Sequence, residues 1–178
     1  MRYYTLLPEV AGGFGPDTIL ADPYARPPLI TRFHYEFNVW PHDPLLEAVA
    51  CFIVTQALKE KILTSRASGV AFDDVEISKD LNVEEFYPDR ELPKFVWLQV
   101  TGRAGIDDFG LSPKHDLVVS QRILDLLKEQ AQQKSEDLKS WRLPPITERH
   151  SLRLIQNLEE RSGFIMPFHN EPLNSIRM

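Results

Sequence analysis

Apolar and polar residues follow one arrangement at two places in the chain: Phe52-Ile-Val-Thr55-Gln-Ala-Leu58-Lys-Glu-Lys-Ile62 and Leu117-Val-Val-Ser120-Gln-Arg-Ile123-Leu-Asp-Leu-Leu127. In each, a short apolar run stops at a hydroxyl residue. Apolar positions then recur three and seven residues later, the spacing of one helical face. The pattern predicts strand, N-cap and helix twice over. Thr55 and Ser120 are the expected caps, each accepting from a first-turn N–H and stabilising its helix by about 1 kcal/mol.

Period-two patterning supplies the other expected strands. Arg2 to Leu7 predicts an opening strand stopped by Pro8, after which Gly12-Gly-Phe-Gly15-Pro16 predicts a turn-rich loop running to Pro28. Leu29 to Phe37 predicts a half-buried strand with Ile30, Arg32, His34 and Glu36 on one side. Trp40-Pro-His-Asp-Pro44 is a second loop, and Val70, Phe72, Val75 and Ile77 predict a strand with an irregularity at Asp73-Asp74. Phe95 to Val100 is the most continuous apolar run and predicts a central strand buried on both faces. Gly102, Gly105 and Gly110 bracket Asp107-Asp108-Phe109 in a loop whose Phe109 is expected to plug the core.

These elements imply an α+β fold: a mainly antiparallel or mixed sheet, two strand-cap-helix units and helices on one side. Residues 1–130 form the expected core domain. Residues 131–178 read as an appended segment, broken at Trp141-Arg-Leu-Pro-Pro145 and then helical. Thr147 is the expected cap of that helix, Leu152, Ile155 and Leu158 its apolar face, and Ser162-Gly163 its stop. The segment is expected to dock on the core or on a partner, a tail-mediated homodimer included.

Composition narrows the class. A chain of 178 residues suffices for one full core. Cys51 is the only cysteine, which excludes an intrachain disulfide and a thiolate zinc cluster, and its apolar neighbours predict a packed core thiol. No apolar run approaches the roughly 20 residues of a membrane span, and the N-terminus lacks a signal-peptide core, so a cytoplasmic setting is expected. The net charge is −6, with 13 basic and 20 acidic residues up to position 130 and 7 and 6 after it. Such a surface repels a phosphate backbone, so nucleic acid is not an expected partner, whereas a basic protein or a cation is compatible.

The candidate chemistry is sparse. His34 and Glu36 share a strand face and His42-Asp43 follows in a loop, so a site of imidazole and carboxylate ligands can be drawn. Neither a metal nor any other cofactor is expected, because no pair of histidines has the i, i+4 helical spacing of the zincin motif. His115, His150 and His169 stand alone in sequence. Asp108-Phe-Gly110 spells the kinase magnesium triplet, but no glycine-rich loop, strand lysine or catalytic-loop aspartate accompanies it. Gly12-Gly-Phe-Gly15 is no phosphate cradle, since Pro16 lacks an N–H and no Gly-Lys-Ser/Thr follows. Ser120 lacks the Gly-x-Ser-x-Gly elbow, and its counterpart is Thr55, so capping accounts for both. Asp73, Asp74, Glu76, Asp107 and Asp108 place carboxylates beside strands, where they are candidates for a negative protein-binding surface. Glu84-Glu-Phe-Tyr-Pro-Asp-Arg-Glu91 adds aromatic anchors among acidic residues, a mixture found at interfaces.

Leu46 to Thr55, Ser68 to Ser78, Tyr87 to Leu98 and Gly105 to Leu127 together resemble an uncharacterised family of bacterial proteins. Leu117-Val-Val-Ser-Gln-Arg-Ile-Leu-Asp-Leu-Leu127 is also similar to the strand-then-helix signature of immunity proteins from bacterial polymorphic toxin and contact-dependent competition systems. The resemblance spans residues 1 to 130 and brings no catalytic residue. It implies a non-catalytic binding protein that neutralises a cognate toxin, a basic one given the acidic surface. Two other readings stay open: a metal-dependent hydrolase using His34, Glu36 and the acidic pairs, and a structural or oligomeric subunit whose tail exchanges between protomers.

Overall fold

The two inner strands of the central sheet alternate their side chains between two separate hydrophobic cores, and this alternation organises the molecule. The computed structural model describes residues 1–22, 24–25, 27–140 and 166–167. The central sheet has the order β6-β7-β10-β8, from β6 (Leu45–Ala48), β7 (Cys51–Thr55), β10 (Phe95–Val100) and β8 (Val70–Asp73). On β7, Phe52 and Val54 enter the first core while Cys51 and Ile53 enter the second; on β10, Val96 and Leu98 face the first and Phe95 the second. A strand covered on both faces needs apolar residues at consecutive positions, so these runs are continuous rather than alternating. The expectation of a central strand at Phe95 to Val100 holds.

The first core is completed by the two strand-helix units. Helix α1 (Gln56–Thr64) follows β7, and α3 (Gln121–Ser140) follows β12 (Leu117–Ser120). Leu58 and Ile62 of α1 meet Ile123 and Leu124 of α3, together with Leu117, Val119 and Phe109. Phe109 is fully buried, as its place between glycines predicts. β12 belongs to a sheet of order β11-β12-β1-β13, built with β11 (Phe109–Leu111), β1 (Tyr3–Leu6) and β13 (Met166–Pro167). β13 pairs antiparallel with β1, Tyr4 opposite Pro167 and Thr5 opposite Met166, so this piece of the tail edges the chain's own sheet.

The second core lies under a three-stranded sheet of order β2-β5-β9, from β2 (Gly12–Phe14), β5 (His34–Phe37) and β9 (Glu76–Lys79). Tyr35 and Phe37 of β5 point into it with Phe33, and Val83 joins them from a short helix, α2 (Leu81–Phe86). The pairing of β5 with β9 is parallel and that of β2 with β5 antiparallel, so the sheet is mixed.

Several expectations are corrected. The segment from Gly12 to Pro28 contains two strands, β2 and β3 (Ile19–Asp22). Gly12 serves β2 by close approach: a Cβ there would lie 2.0 Å from the Glu36 carbonyl oxygen. The long strand at 29–37 is two, β4 (Leu29–Arg32) and β5, with β4 paired to β3 and β5 to a different sheet. The strand at 70–77 divides likewise: Asp74 and Val75 carry the chain from β8 in the central sheet to β9 in the mixed one. β6 and α2 were not expected. The β6–β7 hairpin turns on Val49 and Ala50, both at positive φ (50° and 59°), and neither residue announces such a turn, which ordinarily selects Asn-Gly. α2 is capped by Asp80, whose carboxylate accepts from Val83 N–H at 2.8 Å. It contributes to the second core while α1 and α3 share the first. The polar stretch after Gln130 extends α3 to Ser140. The helix expected at 147–162 lies outside the described residues.

Candidate functional site

Thr55 and Ser120 match in sequence and separate in role. Thr55 caps α1, its hydroxyl accepting from Leu58 N–H at 3.3 Å. The fully buried Ser120 donates its hydroxyl to Asp108 Oδ1 at 2.7 Å. Capping therefore does not account for both residues in the same way, because Ser120 sits opposite a buried carboxylate that needs donors.

That carboxylate is the centre of a clamp. Asp108 is 5% exposed and accepts from Ser68 N–H at 2.9 Å and from Arg122 Nε at 2.7 Å, with a second short bond from Arg122 Nη2. Arg122 also donates to the Ser65 and Arg66 carbonyls at 2.8 and 3.3 Å, closing the C-terminal end of α1, where helix carbonyls lack intrahelical partners. Burial alone would raise the Asp108 carboxyl, but the Arg122 guanidinium, the Ser120 hydroxyl and the Ser68 N–H outweigh it and bring it down to about 2. Asp108, expected on a binding surface, is thus committed to joining the two strand-helix units. Asp107, its half-buried neighbour, accepts from Arg103 N–H at 2.9 Å within the same loop.

Asp73, Asp74 and Glu76 are in a different place and a different state. All three are exposed, at the crossing from β8 to β9. The clamp holds Ser68, beyond the far end of β8, so Asp73 and Asp108 are about 15 Å apart by strand rise. The five carboxylates do not form one patch.

The exposed three border a shallow cleft of about 310 Å³. Trp97 and Phe33 line its apolar part, their rings meeting edge to face at 5.4 Å. Trp97 stands there because it pairs directly with Asp73 across β10 and β8, which puts both side chains on one face. Arg32 also lines the cleft and bonds Glu76 at 2.6 Å, whereas Asp73 accepts only from the Asp74 backbone N–H among the described residues. The cleft thus joins an indole wall to carboxylates with charge to spare.

A second polar cluster begins on the outer face of the mixed sheet. Parallel pairing sets His34 opposite Glu76 and Glu36 opposite Ser78. His34 is 3% exposed because residues 15–18 fold over it. Gly15 N–H donates to the His34 carbonyl at 2.8 Å, the Thr18 hydroxyl does the same, and a Cβ on Gly15 would fall 2.5 Å from His34 Nδ1, so only glycine lies flat on the imidazole. His34 Nε2 is 2.8 Å from Ser78 Oγ, which is 3.5 Å from Glu36 Oε1. On the other side of the ring, Nδ1 is 3.2 Å from the Asp17 N–H nitrogen and 3.4 Å from Asp17 Oδ2. His34 and Glu36 are therefore linked, as their shared strand face suggests, but through Ser78. His42 is held elsewhere, by Glu9 Oε1 at 3.1 Å. His150 and His169 lie outside the described residues.

Sequence reasoning missed Asp17, Ser78 and Trp97. Asp17 sits in a stretch read as loop. Ser78 and Trp97 acquire their neighbours through long-range pairing that has no local signature. Cys51 is buried as expected, and burial pushes its thiol up to about 12, which leaves it unreactive. No helix among the described residues is long and apolar enough to cross a membrane. No protein-family model matches the chain, and no curated protein sequence does.

Proposed function

We propose that this protein is a binding protein for a basic protein partner, and that the cleft beside the β8–β9 crossing receives a lysine or arginine side chain. The observation that carries the reading is the pairing of Trp97 with Asp73 at that cleft, with Asp74 adjacent and exposed. An alkyl stem or guanidinium packs against an indole while its charge meets the carboxylates. Such a pocket is the anchor type that concentrates binding energy at interfaces, and the net charge of −6 steers a basic partner toward it. Helix α2 offers further anchors of the same mixed kind: Leu81 is 87% and Phe86 74% exposed, with the exposed Glu84 and Glu85 between them.

The resemblance to bacterial immunity proteins makes a toxin the partner of choice. Neutralising a toxin by occupation needs a rigid scaffold and a complementary surface and no reagent. The site residues of this reading are Asp73, Asp74 and Glu76 with Trp97; Asp107 and Asp108 support the scaffold. The test is affinity capture from native cells with the wild-type protein and with Asp73→Lys/Asp74→Lys, at low and high salt. The reading predicts a stoichiometric basic partner that high salt releases and the double variant fails to retain. Equal retention by the variant at low salt would remove the cleft from the interface.

A further inference from the structure

We infer that Asp17, His34 and Glu76 form a binding site for one divalent transition-metal ion, zinc being the best match. One ligand atom from each residue lies within 4.8 Å of the other two, so modest movement of the exposed Asp17 and Glu76 side chains brings all three into one coordination sphere. Imidazole with two carboxylates is an N/O donor set suited to zinc, and three protein ligands leave a position for water.

The surroundings of His34 supply a second, independent reason. A metal-binding histidine ordinarily donates its other ring N–H to an acceptor, which fixes the tautomer and aims the lone pair at the metal. Here Nε2 faces the Ser78 hydroxyl, which in turn reaches toward the Glu36 carboxylate. A hydroxyl that donates to Glu36 accepts from Nε2–H, and Nδ1 is then the unprotonated nitrogen. The Asp17 backbone N–H pointing at Nδ1 from 3.2 Å agrees with that tautomer. Asp17 Oδ2 lies 3.4 Å from Nδ1, a separation that a cation bonded to both atoms can span once it replaces the Asp17 N–H as the partner of the Nδ1 lone pair. Glu36, placed among the candidate ligands by strand alternation alone, becomes instead the distant anchor of the chain that orients the ring. Ser78 is a positioning residue. Forming the site requires Glu76 to leave Arg32, its partner at 2.6 Å, so metal binding frees a guanidinium at the cleft.

The direct test is calorimetric titration of the full chain with zinc in chelator-free buffer, alongside Asp17→Asn, Glu76→Gln and Ser78→Ala. The inference predicts saturable binding of one zinc per chain. Asp17→Asn and Glu76→Gln should each weaken it at least tenfold, and Ser78→Ala should weaken it about tenfold with the stoichiometry unchanged. Asp17 and Glu76 are exposed, so their variants fold, and thermal melts without metal check this. Absence of one-to-one binding, or affinity equal to wild type in both carboxylate variants, would overturn the site. Asp17 does not border the partner cleft, so loss of metal binding in Asp17→Asn with partner capture retained separates this inference from the proposed function.

Discussion

Asp73-Asp74 and Asp107-Asp108 are the same dipeptide in two environments, and what surrounds them decides what each does. Asp108 is closed in by Ser68, Ser120 and Arg122, and its charge is spent within the molecule. Asp73 and Asp74 stand where the chain leaves one sheet for another, and their charge faces water beside an indole. A carboxylate pair in sequence therefore marks neither a site nor a surface. The cation and the burial supplied by distant segments make one pair structural and leave the other available.

The sharpest way to break this comparison is Asp108→Asn, which strips the clamp of its charge and leaves Arg122 unpaired at the junction of α1 and α3. Equilibrium denaturation should register a loss of about 2 kcal/mol, less than for a fully buried pair because the Arg122 side chain is 42% exposed. The same carboxyl gives a pH signature. Its value is lowered in the folded state, from the ordinary 3.8 to about 2, so its contribution is complete above that ordinary value and is lost as pH falls toward the folded one. Wild type should lose about 2 kcal/mol between roughly pH 5 and pH 2 from this group, and Asp108→Asn should lack that component.

Ser120→Ala comes next. It removes one of several donors to the same carboxylate and should cost about 1.5 kcal/mol in denaturant melts, the cost of a hydrogen bond to a buried charge. Thr55→Ala, the matching position of the other unit, removes only a helix cap and should cost about 1 kcal/mol. The distinction between the two lies in pH: the Ser120 variant should shift the acid limb of the stability curve upward, and the Thr55 variant should leave it in place. The smallest effect on stability belongs to Asp73→Asn/Asp74→Asn, expected within about 0.5 kcal/mol of wild type. A larger loss there would show that this pair, too, has a structural task.

The sequence announces whatever depends on neighbours along the chain. The two strand-helix units, the doubly buried strand at Phe95 to Val100, the buried Phe109 and the α+β class are all visible in local periodicity. What escapes it is written in pairing between distant segments. The slip in alternation from Val70 and Phe72 to Val75 and Ile77 marks an irregularity at Asp73-Asp74, but it does not reveal that Val70–Asp73 and Glu76–Lys79 enter different sheets. Nothing near His34 announces that β9 will lie parallel to it and deliver Ser78 and Glu76 to its face. The Val49-Ala50 turn is hidden for another reason, since its residues contradict the positive φ they adopt and tertiary pairing of β6 with β7 imposes it. For the site, strand alternation correctly puts His34 and Glu36 together, while the commitment of Asp108 depends on Arg122, 14 residues away.

Trp97 lines the cleft proposed to receive a basic side chain, so its indole reports directly on whether that cleft is filled. Its fluorescence should be followed while the protein is titrated with a lysine- and arginine-rich peptide at low salt, with Trp97→Phe identifying its share of the signal. A saturable change is expected that moderate salt weakens and that Asp73→Asn/Asp74→Asn removes. A wild-type protein that shows no saturable change, or a double variant that responds with the same affinity, would contradict it.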